Sequence, residues 1–220
     1  LLQNSFVSDL SVLAPAGTAL GINLSNSAGC IVQGSQISLL KSTVPNAASA
    51  TGIKLVSSPR CEVESVTMAQ VGDLLNLGEA YGVHVDSVSI ASALSDCSIS
   101  AIFSTDQSRG FLVEASSGMV SNCDVDLMVS GTAIGFAFGE VDTEISNFSA
   151  ENCRCANVNS SIESIGFGVR LTGGVLDNCQ AVNINGGGGA SRTEGFRLFD
   201  GSAGVVLRGC IADSIVDNGI

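Results

Sequence analysis

Apolar positions recur along this chain with a long period. A short motif reads apolar, any residue, turn-former, small, any residue, apolar, and Leu176-Asp177-Asn178-Cys179-Gln180-Ala181 is one copy. Its first residue falls at Leu2, Val32, Val63, Leu94, Val120, Ile145, Leu176 and Leu207, in steps of 30, 31, 31, 26, 25, 31 and 31 residues. Self-similarity at such a period marks an architecture in which each unit buries its apolar face against its neighbours.

The motif defines the first of three columns. Five residues on lie Val7, Ile37, Met68, Ile99, Val125, Ala150, Ala181 and Ala212; three further lie Leu10, Leu40, Val71, Ile102, Met128, Cys153, Ile184 and Ile215. All 24 positions are apolar, where a 45% apolar composition places about 11 by chance. The third motif position reads Asn4, Gly34, Ser65, Asp96, Asn122, Asn147, Asn178 and Gly209, and Asn, Asp and Gly enter the left-handed backbone region most cheaply. A sharp corner between two strands is expected there.

A second anchor precedes every motif after the first: Gly21-Ile22-Asn23-Leu24, Gly52-Ile53-Lys54-Leu55, Gly82-Val83-His84-Val85, Gly110-Phe111-Leu112-Val113, Gly135-Phe136-Ala137-Phe138, Gly166-Phe167-Gly168-Val169 and Gly195-Phe196-Arg197-Leu198. Apolar residues at period two make each a short strand with one buried face. The pattern therefore predicts an all-β solenoid of about seven rungs, with 25 to 31 residues and three short strands per rung. Four Phe on consecutive rungs predict a stack of rings inside it.

Residues 1–220 are expected to form a single domain, because the repeat runs unbroken. The glycine anchor missing before Leu2 and the strand that starts at Gly219-Ile220 make it read as a segment of a longer solenoid. Unpaired rung edges would then invite self-association, end to end or by lateral bundling.

Charge narrows the partners. Nine Lys and Arg against 21 Asp and Glu leave a net charge of −12, which opposes binding to nucleic acid or to anionic lipid. A glycan or protein receptor remains open. No run of about 20 apolar residues provides a transmembrane segment.

Eight cysteines sit at repeat-equivalent positions. Cys97, Cys123, Cys179 and Cys210 follow the corner; Cys30 and Cys61 lie two residues before column one. No C-x-x-C exists, which argues against zinc. Buried thiols behaving as small hydrophobes are expected, with disulfides Cys97–Cys123 or Cys179–Cys210 as the alternative.

These features together resemble the right-handed parallel β-helix family typified by pectate lyases: rungs of this length, an Asn-rich tight corner, stacked Phe and Cys columns. The resemblance covers essentially the whole chain and implies a right-handed parallel β-helix with variable connectors walling a cleft. It implies no single function, since glycan hydrolases, phage tailspikes and secreted adhesins share the architecture. The lyases use calcium-binding aspartates and an arginine base, and the galacturonan hydrolases use an Asp pair, a His-Gly and an Arg-x-Lys. This chain has no Asp-Asp, His-Gly or Arg-Ile-Lys.

Candidate chemistry comes from the outward positions of the glycine-anchored strands. They place Lys54, His84, Asp86 and Glu114 in one patch beside the two shortest connectors, Ser104 to Arg109 and Ser130 to Ile134, which form a saddle. Carboxylates on adjacent rungs shift each other's protonation and suit acid–base work. A second acidic group, Asp124, Asp126 and Glu151, could begin a Ca²⁺ shell if Asp126 and Glu151 are in register, as the repeat predicts. Glu140, Asp142 and Glu144 read as a charged turn, and Gly186-Gly187-Gly188-Gly189 as a loop. The expectation is a non-catalytic structural or adhesive segment of an extracellular, cell-surface or virion fibre. The alternative is a polysaccharide lyase, glycoside hydrolase or glycan-binding module acting at the saddle.

Overall fold

A computed structural model describes residues 18–42, 49–73, 78–139, 143, 145–187 and 192–217, and strand backbone at Leu2–Gln3, Phe6–Val7 and Leu10–Val12. Residues 41 and 42 are likewise described by backbone alone. Among the described residues there is no helix; every strand pairing is parallel, and the strands stack as a β-solenoid of about six turns, slightly fewer than the seven the repeat predicts.

One face is an eight-stranded sheet built from the motif strands, from Leu2–Gln3 through Ile31–Gln33 and Glu62–Glu64 to Ala203–Arg208. The other strands form an 18-stranded sheet that wraps a corner, because Met128–Phe138 and Arg154–Val169 run through it without a break.

Register follows the columns except at one turn. Val32 pairs with Val63, Val63 with Leu94 and Leu94 with Val120, but Val120 then pairs with Ala150, and Ala150 with Leu176. Ile145 instead pairs with Leu171, five residues upstream on the same strands. The sixth motif is therefore Ala150-Glu151-Asn152-Cys153-Arg154-Cys155. Column two takes Cys155 in place of Ala150, and column three takes Val158 in place of Cys153. The columns occupy the interior: Val63, Ile37, Met68, Ile99, Met128, Val158 and Ile184 are all fully buried. Taking a side chain of that size out of water contributes about 1.5–3 kcal/mol.

The corners behave as their residue types dictate. Gly34, Ser65, Asp96, Asn122, Asn152, Asn178 and Gly209 all have φ between 52° and 62°. The corner amides also join across turns: Asn122 Nδ2 donates to Asp96 Oδ1 (3.1 Å) and Asn152 Nδ2 to Asn122 Oδ1 (3.2 Å). Asn147 has φ 53° too, but it bends the strand Ile145–Glu151 together with Gly173 and Gly204 in the turns above.

Inside, Phe111, Phe136, Phe167 and Phe196 stack with centroids 4.9, 4.8 and 4.9 Å apart and planes within 9° of parallel. Glycine precedes each because there is no room for more: a Cβ on Gly135 would lie 2.0 Å from Cys155 Sγ.

Candidate functional site

The glycine-anchored strands position the outward residues turn by turn. Lys54 on Ser49–Val56 is in register with His84 on Glu79–Val85, and His84 with Leu112 on Gln107–Val113. Glu114 follows the last of these. His84 Nε2 lies 3.0 Å from Glu114 Oε2, and Thr143 Oγ1 donates to Glu114 Oε1 at 3.4 Å. The hydrogen bond from His84 holds the Glu114 carboxyl below its ordinary range, with burial opposing it in part. An ionised carboxylate can only accept, so His84 donates through Nε2, and in the neutral ring Nδ1 is then the acceptor. Tyr81 packs its ring 5.5 Å from the imidazole and donates its hydroxyl to Glu79 Oε2 at 3.0 Å.

Asp86 is near enough to oppose the charge of Glu114, but its hydrogen bonds go elsewhere. Its carboxylate accepts from Ser57 N at 3.0 Å, from Ser89 N at 2.9 Å and from Ser89 Oγ at 2.6 Å. It ties the corner of one turn to the corner of the next, a structural use of the charge. The structure thus brings His84 and Glu114 together, sets Lys54 one turn below, and spends Asp86 elsewhere.

The second acidic group is divided. Arg154 Nη1 lies 3.1 Å from Asp124 Oδ1 and 3.9 Å from Asp126 Oδ1, and Asn157 Nδ2 donates to Asp126 at 3.3 Å. Glu151 is not in register with Asp126 as the repeat predicts; it pairs with Ser121 and Asp177 on the eight-stranded sheet. The correction follows from the five-residue register error at this turn. Among the described residues no three His, Cys, Asp or Glu side chains converge on a metal position. Glu140, Asp142 and Glu144 lie outside the described residues, as do Gly188 and Gly189.

Three features escaped the sequence. First, the outward row is not uniformly wet: Leu112, Ile134, Ala137 and Ile165 form a second buried cluster outside the solenoid, flanked by Tyr81 and Phe199. Second, a hollow of about 400 Å³ is lined by Arg170, Arg197, Leu198, Phe199 and Asp200. Arg197 is paired with Glu163 and with Glu194 (3.6 Å) and lies 4.8 Å over the Phe199 ring. Gly168 was the available signal, since a Cβ there would meet Phe199 Cε2 at 2.9 Å. Third, the corrected register adds residues 159–165 to the short connectors, so the saddle spans three turns. There Ser130, Asn159, Ser161 and Asn185 line a hollow of about 300 Å³.

No family model, curated protein or solved structure matches this chain. The fold alone defines its class, a parallel β-solenoid with asparagine side-chain ladders. No helix among the described residues is long and apolar enough to cross a membrane.

Proposed function

We propose that this chain is a non-catalytic structural or adhesive segment of an extracellular, cell-surface or virion fibre, a β-helix of the pectate-lyase-like type. Its work is stiffness, length and the display of one variable corner to a glycan or protein receptor, with self-association extending or bundling the rod. The observation that carries this reading is the use made of the carboxylates near the saddle. Asp86 ties two corners, Asp124 and Asp126 surround Arg154, and Glu114 is engaged by His84 and Thr143. Side chains engaged in bonds between rungs and within them favour rigidity over proton transfer. About six turns at roughly 4.8 Å make a rod about 29 Å long.

The rival reading is a polysaccharide lyase or hydrolase, or a glycan-binding module, and the His84–Glu114 pair favours it. A carboxylate that orients an imidazole while leaving Nδ1 free to accept is one way to build a base. Incubation with uronic-acid polymers and neutral glycans, assayed for reducing ends and unsaturated products, separates the two. We expect no product from any substrate. Product that disappears in His84→Ala and in Glu114→Gln would replace the fibre reading with the enzyme, and binding without product would support receptor display.

A further inference from the structure

The register correction completes a column of cysteines. With Cys153 moved to the position after the corner, Cys97, Cys123, Cys153, Cys179 and Cys210 occupy one rank on five successive turns, and the first four are at most 1% exposed. The backbone stacks them directly. Asp124 N donates to Cys97 O (2.9 Å), Arg154 N to Cys123 O (2.9 Å), Gln180 N to Cys153 O (2.8 Å) and Ile211 N to Cys179 O (2.9 Å). All five thiols are free.

The column is uniform in backbone but not in spacing along the chain. The Asp96–Asn122 and Asn122–Asn152 ladder bonds, one residue before the cysteines, span 26 and 30 residues. Cys97 to Cys123 is likewise 26 residues, Cys123 to Cys153 is 30, Cys153 to Cys179 is 26 and Cys179 to Cys210 is 31. The sulfurs polarise in matching pairs. The neighbouring Cys123 thiol lowers Cys97, while Cys97 and burial raise Cys123. The Cys179 thiol lowers Cys153, while Cys153 and burial raise Cys179. The thiols of Cys97 and Cys123 lie within hydrogen-bonding reach of each other, as do those of Cys153 and Cys179, and each also faces backbone carbonyls, Cys97 Sγ at 3.2 Å from Ser95 O and Cys153 Sγ at 3.4 Å from Glu151 O.

We propose that the column is a peroxide-responsive cross-linking site in which Cys97 joins Cys123 and Cys153 joins Cys179 as disulfides between successive turns. Rungs about 4.8 Å apart place the Cα atoms inside the disulfide range of roughly 4.4–6.8 Å. The Cβ atoms must close by about 1 Å, and the 26-residue turns have the least chain to readjust. Hydrogen peroxide, close to water in size, reaches the column through local opening of the corner.

The chemistry balances with that oxidant alone. When the corner opens the Cys97 thiol gives up its proton and the thiolate attacks one peroxide oxygen; the O–O bond breaks, and the departing hydroxide takes that proton to leave as water. The resulting sulfenic acid is attacked at sulfur by Cys123, which expels hydroxide; this hydroxide takes the Cys123 proton and leaves as a second water. Two thiols are oxidised to one disulfide and one peroxide is reduced to two waters. Cys153 and Cys179 react in the same way.

The test treats the folded, reduced chain with hydrogen peroxide, blocks remaining thiols after unfolding, and maps the peptides by mass spectrometry. We expect Cys97–Cys123 and Cys153–Cys179 linkages in at least tenfold excess over Cys123–Cys153, and an apparent Tm raised by roughly 5–10 °C and restored by reductant. Cys97→Ser should remove the first linkage and leave the second, and Cys179→Ser the reverse. Cys97, Cys123, Cys153 and Cys179 all still blockable after peroxide treatment, or Cys123–Cys153 formed as readily as the other two, overturns the proposal; the wild-type map decides this even if a variant fails to fold.

Discussion

Along the glycine-anchored strands, inward Phe111, Phe136, Phe167 and Phe196 stand one residue away from outward Leu112, Ala137, Gly168 and Arg197, yet the two rows follow different rules. Inside, each ring lies parallel to its counterpart at 4.8–4.9 Å, so a residue's principal neighbours are copies of itself. Outside, successive turns present an amide, an ammonium, an imidazole, an aliphatic chain, a methyl, a bare glycine and a guanidinium, from Asn23 through Lys54, His84, Leu112, Ala137 and Gly168 to Arg197. In-register parallel stacking explains the contrast. An interior change is felt by the turns above and below at once, whereas an outer side chain can find water, a salt bridge or a cap such as Phe199. Stability resides in the repeated row and distinctiveness in the varied one.

The sharpest way to break this comparison is Phe136→Ala. It removes a ring from between two others in a fully buried position, and denaturant unfolding should show a loss of about 3–5 kcal/mol. A loss no larger than that of His84→Ala would mean that the inner stack is not what holds the turns together. Next in size is the corner. Asn122→Ala forces a Cβ-bearing residue without an amide to keep φ 52° and cuts two ladder bonds, for about 1–2 kcal/mol, whereas Asn122→Gly should recover most of the loss. Equal costs for both would show that the amide ladder, not the backbone conformation, matters there.

The smallest effect belongs to the outer pair. Glu114 is held below its ordinary value of 4.5 in the folded chain, so its contribution to stability is present above about pH 4.5 and is lost as pH falls through the folded value. Because the pair is partly exposed, the contribution is at most about 1 kcal/mol. Glu114→Gln should therefore lower stability at pH 6 and converge with the wild type once the pH is below the folded value, which thermal unfolding at the two pH values checks. A constant difference at both would remove the His84–Glu114 bond as its source.

Most of the interior was legible, and the one failure is instructive. Ile145-Ser146-Asn147 offers an apolar residue two before an asparagine just as Ala150-Glu151-Asn152 does, although it puts Phe148 where the motif takes a small residue and Cys153 fits that place. Asn147 even adopts the same left-handed conformation. The bulky Phe148 was the signal in the sequence, and the ladder of N–H to C=O bonds shows which asparagine bends a strand and which turns the corner between two. The slip moved Cys153 out of its column and put Glu151 opposite Asp126, so a single register error grouped carboxylates that the structure divides and hid a cysteine. The outer apolar cluster was illegible for a different reason. Leu112 and Ala137 alternate with the Phe row as outward residues should, and nothing local announces that Tyr81 and Phe199 flank them.

By itself the chain determined its coil: residue types at a fixed period name the strands, the left-handed corners and the ring stack, because those features are local or repeat with the turn. Tertiary structure alone decided which carboxylates are spent. Asp86, Asp124 and Glu114 look alike in sequence, but hydrogen bonds from another turn make one a corner tie, one an arginine's partner and one a histidine's. Those partners lie about 30 residues away along the chain, and only stacking brings them within bonding distance.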